Sequence, residues 1–429
     1  MTYRAPVADI AFTMRHVAGL DRAVEEGLYG DLGPDLAATI LEEAGRFAND
    51  VIAPLNRTGD AHGTPFKDGA VTMPPGFREA YKAWTEAGWN ALPGPEDYGG
   101  QGLPVLLNSG CVEMWNAACL AFGLGPLLTM GGIEALAAHG SETLKGRYLE
   151  KVVSGQWTAT MNLTEPQAGS DLAAIRTRAE RAGDGGYRIT GQKIYITYGE
   201  HDLTDNIVHL VLARLPDAPP GTRGISLFLV PKVLPDGTRN DVRCHGIEHK
   251  LGIHASPTCT MIFGDGGGAT GWLIGEENRG LVCMFTMMNN ARLAVGNEGL
   301  GLAERAYQQA LAYAKERVQG ARAGRPAAIV EHPDVRRMLL TMRAQIAAMR
   351  ALVYWTAGFV DRRTRAPDAA DRRSAADRVA LLTPMVKAWC TDLAQEIASA
   401  CVQVHGGMGF IEETGAAQHL RDAKILSIY

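Results

Sequence analysis

The stretch Met161-Asn-Leu-Thr-Glu-Pro-Gln-Ala-Gly-Ser-Asp171, followed about twenty residues later by Gly191-Gln-Lys-Ile-Tyr-Ile-Thr197, decides how this chain is read. From Trp157 the apolar residues Trp157, Ala159, Met161 and Leu163 alternate with Thr158, Thr160, Asn162 and Thr164, the period of a strand with one polar face. A polar strand end, a glycine turn and a second threonine-bearing strand outline a cradle for a cofactor. Further strands are expected at 175–181, 187–190, 193–197, 207–214, 225–230 and 258–263. The turns between them include Gly183–Gly186, 216–221 and 264–268. Several short strands with such turns predict an antiparallel sheet or barrel.

On either side the period is helical. Residues 1–34 read as an arm of short pieces broken by Gly27, Gly30, Gly33 and Pro34. Leu36, Ile40, Phe47 and Val51 then open an all-helical block over 35–156. The strand block occupies 157–278, and helical spacing returns over 279–429. There Val379, Leu382, Val386, Trp389, Leu393, Ile397, Cys401 and Val404 mark a bundle helix of about 39 Å that Pro384 should kink. The expected class is α+β multidomain: an N-terminal α-helical domain, a middle antiparallel β-barrel and a C-terminal helical bundle.

Composition narrows the function. At 429 residues, 46% hydrophobic and 21% charged, the chain is a globular protein too long for one core, and no apolar run of 18 residues indicates a membrane span. The N-terminus lacks a basic-then-apolar leader, so a cytoplasmic location is expected. A net charge of −5 argues against nucleic-acid binding. Seven scattered cysteines and eleven histidines form no Cys-x-x-Cys, His-x-x-x-His or His-Glu-x-x-His group, so neither a disulfide frame nor a metal is implied.

The paired motifs resemble the signature of the acyl-CoA dehydrogenase family. The resemblance runs from about Leu36 to the last residue through Arg292, Gly406-Gly407 and Arg421-Asp-Ala-Lys-Ile425. It implies FAD, an acyl-CoA substrate, electron-transferring flavoprotein as acceptor, and a homo-oligomer that is at least a dimer. Thr164 would bond the pyrimidine edge of the flavin and Thr197 its N5, with Met161 and Leu163 touching the ring through their backbones. Gly169 and Ser170 would face a pyrophosphate, an anion site of exposed N–H groups. Tyr195 stands where the family commonly has a tryptophan against the flavin. Taken alone, Thr164 and Thr197 read as ordinary strand threonines; their joint occurrence in matched motifs favours the flavin.

Arg292, read as lying at a helix start, matches an arginine near the reacting carbon; it and Ser170 are the implied substrate contacts. Arg317 and Gln319 match contacts to the adenosine diphosphate portion across a subunit boundary, and Gln403, Gly406 and Gly407 a pyrophosphate contact made by the partner chain. Glu165 and Asp171 read as turn-fixing rather than catalytic. α,β-Dehydrogenation of a thioester needs a carboxylate beside Cα. The family places it directly after Ile-Tyr, here Ile428-Tyr429, or just before the helix arginine, here Ala291. No usual base falls within 1–429, and the favoured expectation is a longer dehydrogenase with glutamate next after Tyr429. The 199–206 and 252–258 segments and the N-terminal arm most resemble a longer bacterial branch that includes 3-methylthiopropanoyl-CoA dehydrogenases. The alternatives are an acyl-CoA oxidase and a non-catalytic flavin- or acyl-CoA-binding protein.

Overall fold

The computed structural model describes residues 3–183 and 185–429; Met1 and Thr2 of the arm and Asp184 of the expected 183–186 turn lie outside the described residues. The chain opens with α1 (Val7–His16) and α2 (Leu20–Glu25). The arm is anchored: Ile10 and Met14 are fully buried, and Arg343 holds Asp9 at 2.7 Å. There follow α3 (Pro34–Phe47), α4 (Leu55–His62), α5 (Phe77–Glu86), α6 (Val105–Ala118), α7 (Leu120–His139), α8 (Glu142–Leu144) and α9 (Glu150–Val153). The block is not all-helical, because Asp68-Gly69, both with positive φ, turn a small hairpin of β1 (Phe66–Lys67) and β2 (Ala70–Val71). By length and composition α7 could cross a membrane, but 83% of its apolar window is buried inside the molecule, as a central core helix.

The strand block contains β3 (Thr158–Asn162), β4 (Arg178–Arg181), β5 (Tyr187–Thr197), β6 (Ile207–Arg214), β7 (Ile225–Pro231), β8 (Val242–Ile247), β9 (Thr258–Phe263) and β10 (Ala269–Ile274). Strands β10, β7, β6, β4 and β5 form a ring closed by β10 on β5, and β9 and β8 extend it from β5. The sheet is mixed rather than antiparallel: β3 and β4 both run parallel to β6. Two expected strands at 187–190 and 193–197 are one continuous β5, bent at a register shift between Lys193 and Ile196. The polar face of β3 turns inward, where Thr158 bonds His201 at 2.9 Å and Thr160 bonds His209 at 2.7 Å.

The remainder is α10 (Gly280–Glu316), an exposed hairpin of β11 (Val318–Arg322) and β12 (Arg325–Ala328), α11 (Pro333–Arg365), α12 (Ala369–His405) and α13 (Ala416–Ile428). Helix α12 runs through Pro384 without ending there. Glycines at 296, 299 and 301 let α10 approach its neighbours: a Cβ on Gly296 would lie 2.4 Å from Val386, and one on Gly301 2.7 Å from the Glu113 carbonyl. A buried polar knot ties the bundle to the first block. Arg350 holds Glu113 at 2.5 Å and Glu304 at 3.0 Å, and the Tyr354 hydroxyl donates to Glu113.

Candidate active site

The two motifs meet. Beyond β3, the Thr164 carbonyl accepts from the Ile194 N–H at 2.9 Å, so Thr164 lies beside the strand that carries Tyr195 and Thr197. Neither the Thr164 nor the Thr197 hydroxyl has a partner among the described residues, and both side chains are half-buried. Tyr195 has φ +60° at the β5 irregularity and is 60% exposed, its ring turned outward. A Cβ on Gly169 would meet nothing within 4 Å, and Ser170 is exposed, so the turn presents an open face.

Beneath this face lies a device that motif matching passed over. Lys193, fully buried, donates to the Leu163 carbonyl at 2.9 Å and to Glu165 at 2.8 Å. Glu165 also accepts from the Thr177 hydroxyl at 2.6 Å and from the N–H groups of Arg176 and Thr177. Burial pulls the Lys193 ammonium down to about 8 against the attraction of Glu165. Burial works against the Glu165 charge too, but Lys193 and the Thr177 and Arg176 donors outweigh it and hold the carboxyl below its usual range. The pair is charged and pins the backbone at Leu163. Asp171 caps the turn that follows, accepting from the Ala173 N–H at 2.9 Å. Both acids fix the loop, as the sequence suggests. No signal in the sequence marked Lys193, because only Ile189, Lys193 and Ile196 are buried along β5 and a lysine on such a strand reads as solvated.

Arg292 lies inside α10, twelve residues after its first residue, not at a helix start as expected. The apolar run from Leu281 carries the helix back to Gly280. Its guanidinium donates to Asn289 at 2.8 Å and lies 5.9 Å from the Phe285 ring centroid. Arg317, Gln319, Gln403, Gly406 and Gly407 form a second, exposed set. The ends of α10 and α12 come together where Tyr313 stacks on His405 at 4.3 Å, and Arg317 bonds Gln319 at 3.5 Å. Gly406 has φ +61° as it ends α12, and Gly407 faces open space. No hydrogen bond or ion pair among the described residues joins this set to the Thr164–Thr197 cradle.

Glu298 was missed by sequence reading. It is fully buried on α10, seven residues and two turns beyond Ala291 on the same face, and neither carboxyl oxygen has a partner. Burial raises its pKa from 4.5 to about 8, so at neutral pH it is a neutral acid. Tyr429, directly after α13, is 37% exposed as a residue, and partial desolvation and then the Glu298 charge push its phenol up. The only trace in the sequence is an acid set among Val295, Gly296, Gly299 and Leu300.

Family models match nearly the whole chain: "Acyl-CoA dehydrogenase, N-terminal domain" over 35–156, "middle domain" over 160–265 and "C-terminal domain" over 278–429. The chain belongs to the acyl-CoA dehydrogenase family. It is 49% identical to the 3-methylmercaptopropionyl-CoA dehydrogenase of Ruegeria pomeroyi, over all of this chain and 74% of that protein. It is 38% identical to a butyryl-CoA dehydrogenase of Syntrophomonas wolfei, over all of this chain and 73% of that protein. Among solved structures, the butyryl-CoA dehydrogenase from Megasphaera elsdenii superposes with a TM-score of 0.77 at 26% identity, covering 93% of this chain and 95% of that one. For a dehydrogenase of this family, the place where the two motifs meet is the centre of interest.

Proposed function

We propose that this dehydrogenase removes hydrogen from Cα and Cβ of a short acyl-CoA thioester, 3-methylthiopropanoyl-CoA being the leading substrate, with FAD held on the Thr164–Thr197 face. The observation that carries the reading is the pair of unpartnered threonine hydroxyls on adjoining backbone segments, held by a charged pair buried beneath them. Those residues fit a flavin. FAD, when bound, supplies the hydride acceptor. Thr164 and Thr197 give hydroxyl donors to its polar edge, Met161 and Leu163 line the ring, and Tyr195 offers an aromatic face. Gly169 and Ser170 take the pyrophosphate side through an open turn.

Arg292 sits beside the reacting end of the substrate, with Ser170 on the acyl-CoA side. The α-proton goes to a carboxylate next after Tyr429. Arg317, Gln319, Gln403, Gly406 and Gly407 act on the cofactor of a neighbouring subunit. Their separation from the cradle supports this, as do the exposed apolar residues Met408, Phe410 and Ile411 beside them. Electron-transferring flavoprotein is the proposed acceptor.

The test is anaerobic. Protein extended through the segment after Tyr429 is expected to purify with FAD, and its visible flavin band to bleach on adding butyryl-CoA or 3-methylthiopropanoyl-CoA. Residues 1–429 alone should bleach about 10² to 10⁴-fold more slowly, the range that loss of a general base covers. Equal rates would move the base to a carboxyl within these residues, with Glu298 beside Tyr429 the first to test.

A further inference from the structure

Between α6, α7 and α10 lies a cavity of about 60 Å³ whose wall is largely apolar, yet four buried polar atoms there have no partner. Two are acceptors, Asn108 Oδ1 and Asn297 Oδ1; two are donors, Trp115 Nε1 and Asn116 Nδ2. All four residues are at least nine-tenths buried, at 8%, 3%, 2% and 2% exposure respectively. The asparagines form two facing stripes: Asn108 and Asn116 are eight residues apart on α6, and Asn290 and Asn297 seven apart on α10. Asn297 is anchored, its Nδ2 donating to the Ser109 carbonyl at 2.8 Å, which leaves its oxygen for another donor. Trp115 is fixed by edge contacts to Trp84 at 4.3 Å and Trp89 at 5.4 Å.

Orphaned polar atoms cost about 1–3 kcal/mol each when nothing satisfies them, so four around one cavity call for an occupant that hydrogen-bonds. With no acyl chain bound, water is the occupant this chemistry admits. The cavity also adjoins Arg292, the residue proposed at the reacting end of the substrate. Leu293 and Ala294, directly after Arg292, form part of its wall. Helix α7, which forms another part, packs on the strand leading to the cradle: a Cβ on Gly132 would lie 2.5 Å from Ala159, and Thr129 accepts from the Ala159 N–H at 3.3 Å.

We propose that this cavity seats the far end of a short acyl chain carrying an uncharged hydrogen-bonding oxygen or sulfur, and that Asn108, Trp115, Asn116 and Asn297 thereby set acyl selectivity. No charged side chain lines it, so a terminal carboxylate or ammonium would be left unpaired. A smaller adjoining cavity holds Glu134, which accepts from Asn290 at 2.6 Å and would repel an anion. An all-carbon tail displaces the water and leaves the four atoms orphaned; an oxygen or sulfur replaces part of what the water gave. The inference rests on the proposed acyl-CoA dehydrogenase reading.

The experiment measures kcat/KM of the FAD-loaded protein, extended past Tyr429, on two isosteric pairs: 5-hydroxypentanoyl-CoA against hexanoyl-CoA, and 3-methylthiopropanoyl-CoA against pentanoyl-CoA. Wild type should prefer the heteroatom partner, by about 10-fold for the hydroxyl and less for the weakly accepting sulfur. Trp115→Phe, which removes a donor, should bring both ratios toward one, and Asn108→Leu, which removes an acceptor, should do so for the hydroxyl pair alone; an intrinsic electronic effect of the sulfur would instead persist in Trp115→Phe. Because Asn108→Leu exchanges an amide for an apolar side chain of similar size in a largely apolar wall, its thermal midpoint should change little, which separates lost selectivity from misfolding. Equal turnover within both pairs, or ratios untouched by both substitutions, overturns this inference alone. Failure to bleach with any of the four thioesters overturns the proposed function and the inference with it.

Discussion

Lys193→Met is the sharpest probe of how the cradle is held. The substitution keeps the length and apolar stem of the side chain but leaves Glu165 charged at 3% exposure and the Leu163 carbonyl without its donor. Breaking a buried ion pair from one side costs about 3–5 kcal/mol. Here the lower end applies, because Glu165 keeps the Thr177 hydroxyl, two backbone N–H groups and the Gln167 amide. We therefore expect a loss of about 3 kcal/mol in urea unfolding and weaker FAD retention on gel filtration. Glu165→Gln alone leaves an unpaired ammonium with burial already working against it, a similar cost. The double variant has no buried charge, so its loss should fall short of the sum of the singles by about 2 kcal/mol, well outside the usual error of additivity. Strictly additive losses would show that Lys193 and Glu165 act separately, and the account of the pair as one clamp would be wrong.

Two further outcomes follow from groups facing the site. Thr197→Ala should slow flavin reduction by an acyl-CoA, at a cost of about 1–3 kcal/mol, more than it weakens FAD binding; unchanged reduction kinetics would remove Thr197 from the ring edge. For Glu298, the folded state keeps its proton between pH 4.5 and about 8 while the unfolded chain releases it, so stability falls as pH rises through that window, by at most ~5 kcal/mol. Glu298→Gln should remove that component, raising the thermal midpoint at pH 8.5 relative to wild type but not at pH 4.5, and a parallel pH dependence in the two proteins would contradict the buried neutral acid.

Much of the architecture was legible because it rests on period. The switch at Trp157 from helical to alternating spacing, and back after Gly280, marks where a sheet replaces helices, and each side's apolar stripe is wide enough to read. What escaped was decided by partners far away in sequence. Strand direction is one case: β3 and β4 run parallel to β6, a pairing that alternation along a single strand does not encode. Strand β8 does alternate, with Val242 and Cys244 buried and Arg243 and His245 exposed, but over only four residues before Gly246, and β10 carries Gly271 and the adjacent apolar run Trp272-Leu273-Ile274. The β11–β12 hairpin is exposed and leaves no apolar pattern at all.

The site divides along the same line. That Thr164 would meet the strand carrying Thr197, beside an open turn at Gly169 and Ser170, was readable from the paired motifs; the cofactor role of these residues belongs to the proposed function. Lys193 and Glu298 were not readable, since a lysine or glutamate inside an element reads as a solvated one until its burial is known. The buried polar side-chain atoms without partners are the guide that sequence lacks. Among the described residues, seven of the fourteen belong to α6 and α10, the two helices that meet across the asparagine cavity. Elsewhere the interior pairs its charges closely, as at Arg350–Glu113 and Lys193–Glu165. Three of those seven, both Glu298 oxygens and one Arg305 nitrogen, lie on α10 outside the cavity wall; the other four face it, and an occupant that hydrogen-bonds is what the proposed acyl selectivity requires there.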